Sequence, residues 1–428
     1  MQKNNIIKKF HICSVSVCPR SRVDAQKARD YLVANGLSPT ERFSEAGLIV
    51  IWTCAYSQYT EDKSIECIKY YLRHKAKSGR IIIAGCLPKI NPDRLKTICS
   101  LETAPARELY KLDHMIDANI KFEDIPDPNE VRDFGVATGL RHRLLLKEFF
   151  GKIKFNRELA KACARKFREN IFPNRNRSSN ARLSTMHETE KVFVLRVGVG
   201  CLGQCSYCVI RFSKGKLKSK PVRDILKEFE IGLNKGFKIF RLVAEDVGSY
   251  GLDIGTNVME LLRKMFKIDG DYKLMINDLN CQCLIDHSPE LEDILIRNAH
   301  RIDHITLPIQ SASDRILTLM KRPYNIEDVK RCLMNLRSNA PALNITTHMM
   351  VGFPSETEDD FEQSKKFIRL IKLPFVDIYE YQDRPNTAAA RMKDKVDTKT
   401  IKRRAQELLQ VQRQIRRELI DRTSVSPL

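Results

Sequence analysis

Short apolar runs alternate with longer amphipathic stretches in two blocks of this chain, and that alternation restricts it to parallel β-sheets with helices packed on them. In the first hundred residues, His11 to Val17, Gly47 to Thr53 and Arg80 to Gly85 read as buried strands. Arg22 to Asn35 and Thr60 to Lys77 have helical spacing. From Lys191 the pattern resumes, with strand-like runs near 191–198, 238–244, 273–279, 304–309, 343–351 and 376–381. Pro221 to Asn234 and Glu358 to Ile371 carry apolar residues three and four apart, and Ser288-Pro289 and Asn325 supply helix starts. Six βα units predict an incomplete (β/α)6 barrel, with its site at the carboxyl ends of the strands.

Between the two blocks the signal is irregular. Pro126, Pro128 and the stretch from Pro173 to Asn180 mark linker-like ground. The expected organisation is an α/β domain over 1–105, a basic linker or arm over 106–190, a barrel over 191–395, and a helix with a tail over 396–428. The 428 residues, 43% apolar, are enough for two or three cored domains. Charge is lopsided, with 74 Lys and Arg against 53 Asp and Glu and a net of +21, which predicts a polyanionic partner. From Arg141 to Arg182, thirteen Lys and Arg face only Glu148, Glu158 and Glu169. That run reads either as a solvated face or as an electrostatic arm for RNA or an acidic polypeptide.

Cysteines punctuate the strand ends. Cys18, Cys54 and Cys86 each follow a predicted strand, at the sheet edge where ligands gather in open α/β folds. Packing of small buried thiols is the other reading of these three. Farther on, Cys201-Leu-Gly-Gln-Cys205-Ser-Tyr-Cys208 spaces three thiols so that one loop can present them to a single metal cluster. Iron–sulfur clusters normally take four cysteines, so a three-cysteine loop leaves one iron open for a small molecule. Turn cysteines and zinc are the plainer alternatives, and zinc would want a fourth ligand nearby, whereas the next downstream histidine is His287. Met1 to Phe10 has no apolar leader and no apolar run reaches membrane-span length. The thirteen cysteines therefore read as reduced thiols or metal ligands in the cytoplasm, with no membrane partner.

Together these motifs resemble the radical S-adenosylmethionine methylthiotransferases over nearly the whole chain. The resemblance rests on Cys18, Thr53-Cys54-Ala55, Gly85-Cys86-Leu87, the Cys201 loop and Asp246-Val-Gly-Ser-Tyr-Gly251. It continues through Pro308-Ile-Gln-Ser311, Met320-Lys-Arg-Pro-Tyr324, Val351-Gly-Phe-Pro354 with Glu356-Thr357, and Arg384-Pro-Asn-Thr387. It implies two 4Fe-4S clusters, one on Cys201, Cys205 and Cys208 and one on Cys18, Cys54 and Cys86, with S-adenosylmethionine on the open iron of the first. Reductive cleavage there would yield a 5′-deoxyadenosyl radical, and sulfur on the second cluster, once methylated, would pass to a substrate carbon activated by hydrogen abstraction. The chemistry is cofactor-centred, so no catalytic acid–base pair is expected. Tyr207, Glu245, Gln310 and Ser311 are the expected S-adenosylmethionine contacts, with ordinary packing or capping as the alternative for each, and a reducing electron donor is implied.

Several positions depart from the family pattern. Glu245 stands for Gln, Ala312 and Ser355 for Gly, and His348 for Asp. Family members normally continue into a C-terminal TRAM-type β-barrel, which is expected to be absent from a chain ending at Leu428. On that reading the substrate is a peptide or protein, such as a modified-peptide precursor. Transfer RNA is the competing substrate, since +21 and the basic arm suit phosphate. A radical enzyme of other chemistry and a noncatalytic cluster-bearing RNA-binding protein complete the alternatives. Cys13, Cys67, Cys99, Cys163, Cys281, Cys283 and Cys332 read as packing thiols, with Cys281-Gln-Cys283 in a loop after the third barrel strand.

Overall fold

The computed structural model describes residues 7–16, 18–98, 100–132, 134, 191–373 and 375–424. The basic stretch from Arg141 to Arg182 lies outside the described residues. The chain divides into two compact units: Met1–Ala160 with Val209–Gly215, and Lys161–Cys208 with Lys216–Leu428.

In the first unit, β1 (Lys9–Ser14), β2 (Ser38–Pro39), β3 (Leu48–Thr53), β4 (Arg80–Gly85) and β5 (Glu102–Pro105) form one parallel sheet in the order β2-β1-β3-β4-β5. All six residues of β3 are buried because both faces of the sheet are covered. Leu48, Val50 and Trp52 pack with Tyr31 and Leu32 of the helix Pro19–Ala34, while Ile49 and Ile51 pack with Ile65, Ile68 and Tyr71 of the helix Gln58–His74. Each such apolar side chain contributes roughly 1.5–3 kcal/mol, which explains the unbroken apolar run. The same core takes in Leu109, Leu112 and Phe122, so this unit extends beyond residue 105 into the stretch expected to be linker. Short β5, four residues ending in a proline, gave little strand signal.

The second unit is an open parallel sheet of β6 (Val192–Arg196), β9 (Ile239–Val243), β10 (Lys273–Ile276), β11 (Ile302–Gln310), β12 (Ile345–Val351) and β13 (Phe375–Glu380). Its spatial order follows the chain, β13-β12-β11-β10-β9-β6. Alternate residues such as Leu195, Phe240, Leu242, Leu274, Ile276, Ile305 and Leu307 pack outward against helices. Arg196, Arg241, His304, Thr306, His348 and Asp377 fall on the other face by alternation. Two short strands, β7 (Gly198–Val199) and β8 (Lys218–Ser219), pair antiparallel and frame the cysteine loop. The helix Thr398–Ser424 packs along β13, burying Ala405, Leu408, Val411 and Ile415. Arg404 there forms a buried 2.8 Å ion pair with Glu356. Gly352, at φ +78°, leaves room for Ile401 of that helix: a Cβ on it would come within 2.2 Å of the Ile401 side chain. Cys281 and Cys283 lie in a short helix, Cys281–Asp286, rather than a loop, and both are buried in the barrel core.

Candidate cofactor site

The first unit brings its three strand-end cysteines to one edge. Ser14 of β1 pairs with Trp52 of β3, and Thr53 of β3 pairs with Gly85 of β4, so the strands end nearly level. Cys18 caps the helix Pro19–Ala34, and its N–H donates to Ser16 Oγ at 3.2 Å. Cys54 directly follows β3; its N–H donates to Ser64 Oγ at 3.0 Å, fixing the loop to the following helix. Cys86 directly follows β4, and its N–H donates to Thr53 O at 3.1 Å. Burial pushes the Cys86 thiol up to about 12, and Cys54 and Cys18 act on it in the same direction; burial also raises Cys54, which feels Cys18.

The loop of the second unit is held from several sides. Gly200 N–H donates to Glu245 Oε2 at 2.7 Å, a charge-assisted bond that ties the start of the loop to the end of β9. Gly203 N–H donates to Cys201 Sγ at 3.2 Å, and a Cβ on Gly203 would lie 3.1 Å from Cys201 Sγ and 3.8 Å from Cys205 Sγ. Bare backbone there leaves both sulfurs uncrowded. Ser206 anchors the far side: its N–H donates to Met320 O at 3.0 Å and its O–H to Leu319 O at 2.8 Å. Burial pushes the Cys201 thiol up to about 12, with Asp246, Cys208 and Cys205 adding to it.

The donor sets suit iron–sulfur clusters. Among the described residues no three His, Cys, Asp or Glu side chains converge on a single metal ion. A four-iron cluster instead presents its coordination sites at separate corners, and half-buried soft thiols, with Gly85 beside Cys86 and Gly203 between Cys201 and Cys205, match that need.

The other predicted residues take varied positions. Tyr207 packs with Met320, Phe353 and Ala389, and its hydroxyl accepts a hydrogen bond from Arg322 Nη2 at 3.1 Å. Glu245 serves the loop as described. Gln310, buried at the end of β11, adopts φ +76°, a left-handed backbone uncommon for glutamine. Ser311 is fully buried, and its Oγ accepts the Ser313 N–H at 3.2 Å. Sequence reasoning missed Asp246, whose carboxylate accepts Ser249 O–H at 2.6 Å and Asn280 Nδ2–H at 2.8 Å while acting on Cys201. It also missed a buried Lys214–Asp24 pair in the first unit. The motif Asp246-Val-Gly-Ser-Tyr-Gly251 was the available signal for Asp246, and nothing in the linear sequence signalled the pair.

Known proteins match the same two regions. A model described as the Radical SAM superfamily matches residues 195–368, and one described as Uncharacterized protein family UPF0004 matches residues 10–103. The ribosomal protein uS12 methylthiotransferase RimO of Chlamydia pneumoniae is 27% identical over 96% of this chain and 79% of its own length. A probable threonylcarbamoyladenosine tRNA methylthiotransferase of Pyrococcus horikoshii is 27% identical over 88% of this chain and 77% of its own. The chain carries the Radical SAM and UPF0004 domains, and these relatives are radical S-adenosylmethionine methylthiotransferases. It is an enzyme of the radical S-adenosylmethionine class; its Radical SAM domain implies S-adenosylmethionine and a 4Fe-4S cluster, and its methylthiotransferase relatives carry a second cluster. The expected fold holds as well: a radical S-adenosylmethionine methyltransferase, TsrM of Kitasatospora setae, solved with cobalamin and a 4Fe-4S cluster bound, superimposes with a TM-score of 0.57. That match is 14% identical and covers 90% of this chain and 77% of TsrM. No helix of the described residues is long and apolar enough to cross a membrane.

Proposed function

We propose that this enzyme replaces hydrogen by a methylthio group at an unactivated carbon of a polypeptide, working in the cytoplasm with a low-potential electron donor. Cys201, Cys205 and Cys208 would hold the cluster that binds S-adenosylmethionine, and Cys18, Cys54 and Cys86 the second. When bound, these groups supply the electron, the radical and the sulfur. The chain's own part is placement: Glu245 and Ser206 fix the loop, Tyr207 anchors it against Phe353, and Gln310 and Ser311 line the end of β11. The observation that carries the chemistry is the pair of three-cysteine sites, one in each unit.

For the polypeptide, support comes from the relatives named for ribosomal protein uS12, which align over 95–96% of this chain. Net charge of +21 favours a second reading, transfer RNA, through phosphate contacts. Mass spectrometry of the peptide fraction and of bulk transfer RNA, from cells with and without the gene, decides between them. The expected result is a gene-dependent gain of about 46 daltons, H replaced by SCH3, in a polypeptide. A gain confined to a nucleoside establishes the RNA reading, and a gain in neither refutes methylthiolation.

A further inference from the structure

The first unit contains a buried ion pair between Lys214 and Asp24. Lys214 Nζ lies 2.6 Å from Asp24 Oδ2, and the two side chains are only 5% and 6% exposed. Taking both charges out of water costs several kcal/mol per ion, and apolar residues of similar volume would fill the space at no such cost. Its location suggests why the charges are there. Asp24 lies on the helix that Cys18 caps. Lys214 ends the short helix Ile210–Lys214, which packs on the helix Leu87–Ile90 that follows Cys86. Val209 and Phe212 join Cys86 and Leu87 in one apolar cluster. Ser213 and Lys214, both buried, directly follow Phe212 on that short helix.

A 4Fe-4S core with three thiolates carries a net charge of about −1 when oxidised and about −2 when reduced by one electron. Such a buried anion needs a nearby cation, more so after reduction. We propose that Lys214, held in place by Asp24, is the internal counter-charge of the cluster on Cys18, Cys54 and Cys86 and sets its reduction potential. This rests on the assignment of those cysteines to the second cluster. Lys214 is a positioning residue, acting through the cluster rather than on the substrate.

The test is an EPR-monitored potentiometric titration of the full chain, with dithionite as the one-electron donor. Cys201, Cys205 and Cys208 are all changed to Ala so that only the second cluster reports. Failure of this parent to bind iron refutes the ligand assignment itself. With iron bound, Lys214→Gln should lower the midpoint potential, Lys214→Arg should keep it near the parent value, and Asp24→Asn should raise it. Opposite shifts for the two partners are what a charge produces and a packing role does not. Equal potentials in parent and Lys214→Gln overturn the proposal. Loss of the cluster in both Lys214→Gln and Lys214→Arg also overturns it, by marking the pair as structural.

Discussion

Replacing Gly85 by alanine should remove one cluster and spare the other. Gly85 is the last residue of β4, sits at φ +95°, and would place a Cβ 2.3 Å from Thr53 O and 2.9 Å from Thr53 N. Ordinary contact begins near 3.4 Å, so the ends of β3 and β4 must part by about 1 Å. The left-handed backbone adds about 1–2 kcal/mol of strain, and weakening the bond from Cys86 N–H to Thr53 O costs about 0.5–1.5 kcal/mol more. The combined loss is roughly 1.5–3.5 kcal/mol. Cys54 and Cys86 are the next residues on the two separated strands, and a site of this kind tolerates only about 0.5 Å of misplacement. Iron and sulfide analysis after anaerobic reconstitution should fall from about eight to about four of each per chain, with S-adenosylmethionine still cleaved under reduction. Gly36→Ala is the control: at φ +84° it carries the same backbone penalty, but nothing lies within 4 Å of the added Cβ, so it should retain about eight irons. A folded Gly85→Ala protein that also binds about eight would refute the argument that close approach of these strands builds the site.

Other outcomes follow from the same geometry. Cys18→Ser and Cys201→Ser should each abolish the methylthio product in a mass-spectrometric assay, but only Cys201→Ser should abolish reductive cleavage of S-adenosylmethionine. Arg404→Leu strands the buried Glu356 carboxylate and should cost about 3–5 kcal/mol in urea unfolding; adding Glu356→Gln should recover part of it. In the parent protein, burial pushes the Glu356 carboxyl from 4.5 up to about 7. A raised carboxyl binds its proton more tightly when folded, so its contribution is full below pH 4.5 and lost as pH rises to about 7. That loss is at most about 3 kcal/mol, and it should disappear in Glu356→Gln. Ser355 sits at φ +69°, in the left-handed region that favours glycine, and Ser355→Gly should raise stability by about 0.5–1 kcal/mol in the same unfolding assay.

The cysteine geometry was legible because parallel sheets convert linear spacing into position. Strands that start together end together, so a cysteine after each of β1, β3 and β4 falls on one edge whatever the helices between them do. Strands fully buried on both faces, such as β3, and the capped helix Glu358–Ile371 also announced themselves through composition and spacing. What escaped depends on contacts distant in sequence or on backbone angle. Lys214 and Asp24 are 190 residues apart, and no local pattern links them. Leu109, Leu112 and Phe122 extend the first core from short irregular turns that have no period to detect. Glu245 also holds Gly200 N–H, a backbone partner that side-chain identity does not disclose.

The seven residues Val209–Gly215 belong to the first unit, although the chain on either side of them belongs to the second. Val209, Phe212 and Lys214 complete a core and an ion pair begun almost two hundred residues earlier. The two units are consequently not exchangeable cassettes. Recombination that joined this barrel to another first unit would have to carry a matching seven-residue insert with it, so the two halves are expected to be inherited as one piece.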